Sequence, residues 1–287
     1  MHPHPIPILL MMYGETMETG GWKIIGKSVR GASHERSGLP NQDAIDWFPN
    51  SGQWLPLVLA LSDGHGSLKC FRSDRGARFA VSAALDVAKA IAAMPAESGR
   101  SIKKMAEEQI PKQIHRCWKE LVDKDIQEFP FTEEEKLLSD PNPYLPYGAT
   151  LLLSLLTSSF LLFLQLGDGD ILLFRENGEA QRPVPKDDRL LGNETTSLSA
   201  HNAWKDFRFC FLPVLDSVPN LIMLSTDGYA NSFRDDQSFL KVGTDILEIA
   251  KSEGMLYIEN NLEEWLKTAS ASGSGDDITA GFMFHLS

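Results

Sequence analysis

The sequence predicts an α+β protein in which antiparallel sheets pack with grouped helices, and three observations carry that reading. Apolar segments of strand length come in consecutive runs, and helical periodicities are grouped between those runs instead of alternating with them. The connections at Ser158-Ser159 and Asn177-Gly178 are short enough for hairpins. A doubly wound parallel sheet needs a helical crossover between successive strands, and this order of elements does not supply one.

Residues 22–29 and 43–48 read as short strands, and the polar stretch 31–42 between them is rich in turn formers and predicts a loop, His34 included. Residues 54–62 are apolar and end abruptly at Asp63-Gly64-His65-Gly66, a turn cluster closing a buried strand. Residues 75–94 are alanine-rich and stop at Pro95, which has no amide to continue a helix. Ile102, Met105, Ile110, Ile114, Cys117, Trp118, Leu121 and Val122 recur near every third or fourth position, the stripe of an amphipathic helix packed on a sheet and kinked at Pro111. Residues 130–147 hold Pro141, Pro143 and Pro146 and predict a long loop. Residues 149–157, 160–166 and 171–175 read as buried strands, and Asn177-Gly178 turns the chain tightly into residues 180–183, which together predict an antiparallel meander.

Residues 183–203 form a polar connection long enough to act as a flap over a substrate, with Asp187 and Asp188 expected in solvent. Phe207, Phe209 and Phe211 alternate with Arg208 and Cys210, and residues 221–225 form a further apolar strand. Residues 239–250 and 258–269 carry helical periodicity, ended by Gly273-Ser274-Gly275. Ile278, Ala280, Phe282, Phe284 and Leu286 then alternate with their neighbours in the cleanest strand of the chain.

Composition excludes several functions. The 287 residues hold 39 acidic against 27 basic side chains, a formal charge of −12 with no basic stripe, which argues against nucleic acid as a partner. The longest apolar runs, such as residues 151–156 and 160–164, fall far short of the roughly 20 residues that span a bilayer, so no membrane association is expected. Cys70, Cys117 and Cys210 are odd in number and widely spaced, which fits buried thiols in a reducing compartment and a cytoplasmic location. The opening residues carry Pro3, Pro5 and Pro7 and no basic segment of a signal peptide, so residues 1–20 are expected to be a disordered or artificial tail and residues 21–287 one domain.

Chemistry is concentrated in aspartates at strand ends. Asp63, Asp168, Asp227 and Asp276 each lie beside glycine or just after an apolar strand, and Asp43 follows Asn41-Gln42. Each pair taken singly is a turn, because Asp and Gly both favour turn geometry. Taken together they are oxygen ligands for a hard cation, and a buried group of them repels itself unless cations neutralise it.

The ordered set Asn41-Gln42-Asp43, Leu61-Ser62-Asp63-Gly64-His65-Gly66, Gly148-Ala149-Thr150, Leu166-Gly167-Asp168, Leu224-Ser225-Thr226-Asp227-Gly228 and Asp276-Asp277-Ile278-Thr279 resembles the metal-dependent Ser/Thr protein phosphatases of type 2C, the PPM family. The segment Gly31-Ala32-Ser33-His34 with Gly38-Leu39-Pro40 is similar to a bacterial branch of that family. The resemblance implies a four-layer α-β-β-α sandwich of two antiparallel sheets with helices outside, and residues 21–287 as the phosphatase domain. It also implies two Mg²⁺ or Mn²⁺ ions and a third, more weakly held one, a phosphorylated protein substrate, bacterial signalling and a cognate Ser/Thr kinase as a partner. By that resemblance Asp63 bridges two ions, the Gly64 carbonyl reaches the second, and Asp227 and Asp276 complete the first. Asp43 holds the second ion through water, and Asp168 with Asp227 matches a weaker third position. Asp277 is the alternative to Asp276.

The implied reaction is hydrolysis of phosphoserine or phosphothreonine by a water between two cations, with Asp63 and His65 as its catalytic residues and His65 as general acid. One departure stands out: the family's phosphate-binding arginine, five residues before Asp43, is Gly38 here. Arg36 and Arg30 are the candidate substitutes, since a guanidinium binds phosphate in bidentate fashion. Gly38 also motivates a second reading, a catalytically weak phosphoprotein-binding regulatory module. A small-molecule phosphatase is a third.

Overall fold

The computed structural model describes residues 21–94, 99–176, 178–187, 195–214 and 218–285, so the expectations for residues 1–20, Asn177 and Asp188 lie outside the described residues. Along the chain run β1 (Trp22–Val29), α1 (Ala32–Ser37), β2 (Ala44–Phe48), β3 (Leu57–Ser62), α2 (Ser73–Ala92), α3 (Gly99–Glu128) and α4 (Glu133–Ser139). They are followed by β4 (Leu151–Leu156), β5 (Phe160–Leu166), β6 (Asp170–Phe174), β7 (Ala180–Gln181), β8 (Arg208–Pro213), β9 (Leu221–Ser225), α5 (Asp227–Ala230), α6 (Asp236–Ser252), α7 (Met255–Ser272) and β10 (Ile278–His285). The strands form two five-stranded antiparallel sheets, ordered β1-β10-β9-β6-β7 and β2-β3-β4-β5-β8.

The layering follows from strand periodicity. Successive side chains of a strand point to opposite faces, so a strand apolar at every position has both faces covered. In β3, Leu57, Leu59 and Leu61 meet Leu152, Phe163 and Met283 between the sheets, while Val58 and Ala60 meet α2 and α3. In β10, Met283 faces the other sheet, while Ala280, Phe282 and Phe284 pack with Phe239, Ile258 and Leu262 of α6 and α7. Four layers result, helices on sheet on sheet on helices, as expected for this fold class. The small side chains Ala77, Ala80, Ala84 and Ala88 let α2 sit close on its sheet, and Trp118 of α3 donates from Nε1 to the Gly76 carbonyl at 3.0 Å.

Four expectations need correction. The stretch 31–42 is not all loop, because α1 is held there by tertiary bonds: the Ser33 amide donates to the Gly275 carbonyl at 2.8 Å and the Ala32 amide to Ser270 Oγ at 3.1 Å. Residues 130–147 contain α4, opened by a capping box in which Thr132 Oγ1 accepts from the Glu135 amide and Glu135 Oε2 accepts from the Thr132 amide. The meander stops at β5, since Gly167-Asp168-Gly169 carries the chain to the opposite sheet, where β6 pairs with β9. Asp187 is not a solvated loop residue; its side chain is 6% exposed and pairs with Arg208 at 3.6 Å.

Candidate metal centre

Antiparallel pairing gathers the aspartates. Ala44 pairs with Ser62, Ser225 with Ala280 and with Asp170, and Val29 with Ile278. The ends of β1, β3 and β9 and the starts of β2, β6 and β10 therefore share one end of the sandwich. Asp43, Asp63, Asp168, Asp227 and Asp276 are the residues just outside those strand ends. Asp63, His65, Asp168, Asp227 and Asp276 line a single cleft there, of about 830 Å³.

The backbone fixes the cleft floor. The Asp63 amide donates to Thr150 Oγ1 at 3.0 Å, the Thr150 amide to the Asp63 carbonyl at 2.8 Å, and the Gly64 amide to the Gln42 carbonyl at 3.1 Å. Gly64 is required by close approach, since a Cβ there would lie 2.6 Å from the Gln42 carbonyl oxygen and 2.7 Å from that of Ser73. His65 donates its amide to the Gly148 carbonyl at 3.0 Å and packs its ring on Gly148, where a Cβ would lie 2.7 Å from the imidazole. Its Nε2 is buried with no hydrogen-bond partner.

Charge is concentrated and partly dehydrated. Asp43 lies behind the cleft, 8% exposed, and accepts at Oδ2 from Thr226 Oγ1 at 2.8 Å. Burial pushes its carboxyl up to about 8, with repulsion from Asp277 and Asp227 adding to the rise and hydrogen bonds opposing it. Burial raises Asp63 well above the usual carboxylate range, reinforced by Asp43, Asp227 and Asp276. Asp227 is raised mainly by burial, with Asp168 and Asp276 adding to it. His65 is lowered by burial against an opposing pull from Asp168.

The two adjacent aspartates divide cleanly. Asp277 is 4% exposed, and its oxygens accept from the Gly31 amide at 2.6 Å, the Gln42 amide at 2.6 Å and His34 Nδ1 at 2.9 Å. Asp276 has a side chain 52% exposed toward the cleft. Asp277 is thereby committed to the protein, and Asp276 is available to a ligand.

These residues fit a divalent cation. The donor set is oxygen-rich, its carboxylates repel one another, and the buried Gln42 Oε1 is a polar atom of a cleft residue without a partner. Among the described residues no group of three or more His, Cys, Asp or Glu side chains is already drawn together around one point.

The arginine candidates stand elsewhere. Arg36 is exposed on α1, and an Arg30 terminal nitrogen donates to the His34 carbonyl at 2.8 Å; neither lines the cleft. Gly38 ends α1 with φ +78°, fully in solvent, where a Cβ would meet nothing within 4 Å. Two basic side chains that sequence reasoning missed do line the cleft, His34 and Lys186. The first was hidden in a segment expected to be loop; the second carries no motif, and it pairs with Asp236 at 3.1 Å.

A family model described as protein phosphatase 2C matches residues 30–267. No curated protein sequence matches the chain. Among solved structures, the catalytic domain of the serine/threonine protein phosphatase PstP in complex with two manganese ions superposes with a TM-score of 0.59 at 15% identity, over 94% of this chain and 100% of that one. The phosphatase Stp1 from Staphylococcus aureus superposes with a TM-score of 0.58 at 14% identity, over 94% and 98%. PppA of Pseudomonas aeruginosa superposes with a TM-score of 0.56 at 15% identity, over 92% and 97%. At such identities the superpositions establish a common fold.

Proposed function

The chain belongs to the protein phosphatase 2C family, a family of metal-dependent phosphoester hydrolases, and on that premise we propose that it hydrolyses phosphoserine and phosphothreonine in proteins at a centre of two divalent cations, Mg²⁺ or Mn²⁺. The observation that supports this most is the meeting of Asp63, Asp227, Asp276 and Asp168 from separate strand ends in one cleft, with Asp43 buried behind them. Asp63 with the Gly64 carbonyl, Asp227, Asp276 and Asp43 are the residues that would hold the ions, with Asp168 at a third, weaker position. When bound, such ions neutralise a phosphate dianion and make a water nucleophilic at neutral pH.

The chain's own residues do the rest. Thr226 and Asn41 orient Asp43, the first through its hydroxyl and the second by accepting the Asp43 amide at 3.0 Å. Asp63 is held by the Thr150 bonds, so its carboxylate enters the cleft from a fixed backbone. His65 follows Asp63 by two residues and keeps an unpartnered ring nitrogen, and on this reading it gives a proton to the departing serine or threonine oxygen. Lys186 supplies positive charge at the cleft and is the side chain that meets the substrate phosphate in place of an arginine. The partner implied is a phosphorylated protein and, with it, the kinase that phosphorylates it.

Hydrolysis of a phosphothreonine peptide with Mn²⁺, with EDTA and with Asp63→Asn tests this. Turnover that needs both the metal and Asp63 is expected. Metal binding with no turnover would refute the enzyme and favour a phosphoprotein-binding module, and turnover of sugar phosphates in preference to the peptide would refute the substrate class.

A further inference from the structure

His34 was expected in a loop, and the structure builds it into the cleft with unusual care. Its helix α1 is pressed on the Asp276-Asp277 turn so closely that a Cβ on Gly31 would lie 2.2 Å from the Asp276 carbonyl carbon. The Ser33 and Ala32 amides tie the same helix to Gly275 and Ser270. The His34 side chain is 12% exposed, and its Nδ1 lies 2.9 Å from Asp277 Oδ2.

That contact sets the tautomer. Asp277 already accepts backbone amides on both oxygens, and a carboxylate so engaged takes a further bond only from a donor. Nδ1 therefore carries a hydrogen, and in the neutral ring Nε2 is left with its lone pair. Nε2 stands 4.0 Å from Asp276 Oδ1, and both residues line the cleft that holds Asp63 and Asp227. A buried carboxylate bonded to one ring nitrogen while the other faces oxygen ligands is how proteins orient a metal-binding histidine.

On the reading of this cleft as a metal centre, we propose that His34 is a metal ligand: its Nε2 joins Asp276 on one cation, and Asp277 is the residue that orients it. A nitrogen ligand changes which ion is preferred. Imidazole adds more affinity for a first-row transition ion than for Mg²⁺, which prefers oxygen and keeps its waters. The centre therefore discriminates in favour of Mn²⁺ and its heavier neighbours over Mg²⁺ through a residue of this chain's short helix.

The test is pulsed electron paramagnetic resonance on the full chain loaded with Mn²⁺, together with Mn²⁺ and Mg²⁺ titrations of the wild type, His34→Gln and His34→Asn. A ¹⁴N coupling to bound Mn²⁺ is expected in the wild type and lost in both variants. Mn²⁺ affinity should fall by at least the roughly 10- to 100-fold that partners of metal ligands are worth, with a much smaller loss for Mg²⁺, so the ratio of the two narrows. The wild-type spectrum needs no variant to fold. Bound Mn²⁺ with no nitrogen coupling, a coupling that persists in folded His34→Gln, or an unchanged Mn²⁺-to-Mg²⁺ ratio overturns His34 as a ligand while leaving the metal centre standing. A raised KM at an unchanged ratio would do so too, by placing His34 on the substrate. Failure of the wild type to bind Mn²⁺ at all overturns the metal centre, and this ligand with it.

Discussion

Removing divalent cations and raising the pH should unfold this protein more easily, and the size of the effect follows from Asp43. Its carboxyl is pushed up to about 8 in the fold by burial first and by the carboxylates of Asp277 and Asp227 next, whereas 3.8 is the ordinary value of an unfolded aspartate. Between those values the metal-free native state keeps a proton that the unfolded chain has released. Stability is thus fully present below about pH 4 and is lost as the pH rises through the folded value, at about 1.4 kcal/mol per pH unit for one proton and about 6 kcal/mol at most. Asp63 and Asp227 are raised as well and act in the same direction. His65, His115 and His285 are lowered by burial and act oppositely, gaining stability as the pH rises toward the ordinary histidine value of 6.5. The interval from pH 7 to pH 8 lies above that range and isolates the carboxylates.

The assay is thermal unfolding in EDTA at pH 7 and pH 8, repeated with Mn²⁺. One proton's worth is a fall of roughly 2–4 °C in Tm per pH unit for a chain of this size. With Mn²⁺ present the cation takes the place of the protons, so the slope should vanish, and Asp43→Asn in EDTA should remove one proton's share of it. Metal-free stability that is flat or rising from pH 7 to pH 8 would refute the claim that these carboxylates are buried together without compensation.

Asp277→Asn should destabilise the fold by about 1.5–3 kcal/mol in chemical unfolding, since it weakens a charged acceptor of three hydrogen bonds, while Asp276→Asn should weaken Mn²⁺ binding in calorimetry with little change in stability. His65→Gln should lower kcat for a phosphothreonine peptide and leave Mn²⁺ affinity in place; unchanged kcat would remove it from proton transfer. Lys186→Ala should raise KM for that peptide and Arg36→Ala should not, as only the first lines the cleft. Gly243→Ala should cost about 1–3 kcal/mol by thermal unfolding, because a Cβ there would lie 2.1 Å from the Phe174 ring.

What could be read from the chain alone divides along physical lines. Strands covered on both faces, such as β3 and β10, are legible because apolar periodicity is a local signal, and aspartates at strand ends are legible because the strand fixes where they emerge. Sheet membership is not local: β5 and β6 look alike in sequence, and only the crossing at Gly167-Asp168-Gly169 separates them. The helix α4 carried its capping box Thr132-x-x-Glu135 in plain view, under the heavier signal of the prolines that follow. Nothing local announces α1, whose six residues are held by Gly275 and Ser270 from the far end of the chain. His34 and Lys186 were missed for the same reason, since their place in the cleft depends on contacts far away in sequence.

Gly38 illustrates how far that dependence reaches. Counting five residues back from Asp43 locates the position of the family's arginine in sequence, and a glycine there suggests a weakened phosphate site. In the fold the same position is the left-handed end of α1, at φ +78° in open solvent, a conformation that favours glycine and disfavours any side chain. An arginine at 38 would strain the backbone and would not start from the cleft. The short helix has instead turned the chain so that His34, four residues earlier, faces the aspartates, and Lys186 comes in from after β7. Restoring the family's residue by Gly38→Arg should therefore lower stability without lowering KM for a phosphopeptide. A clear fall in KM would mean that residue 38 does reach the phosphate, and that the helix is not what displaced the arginine.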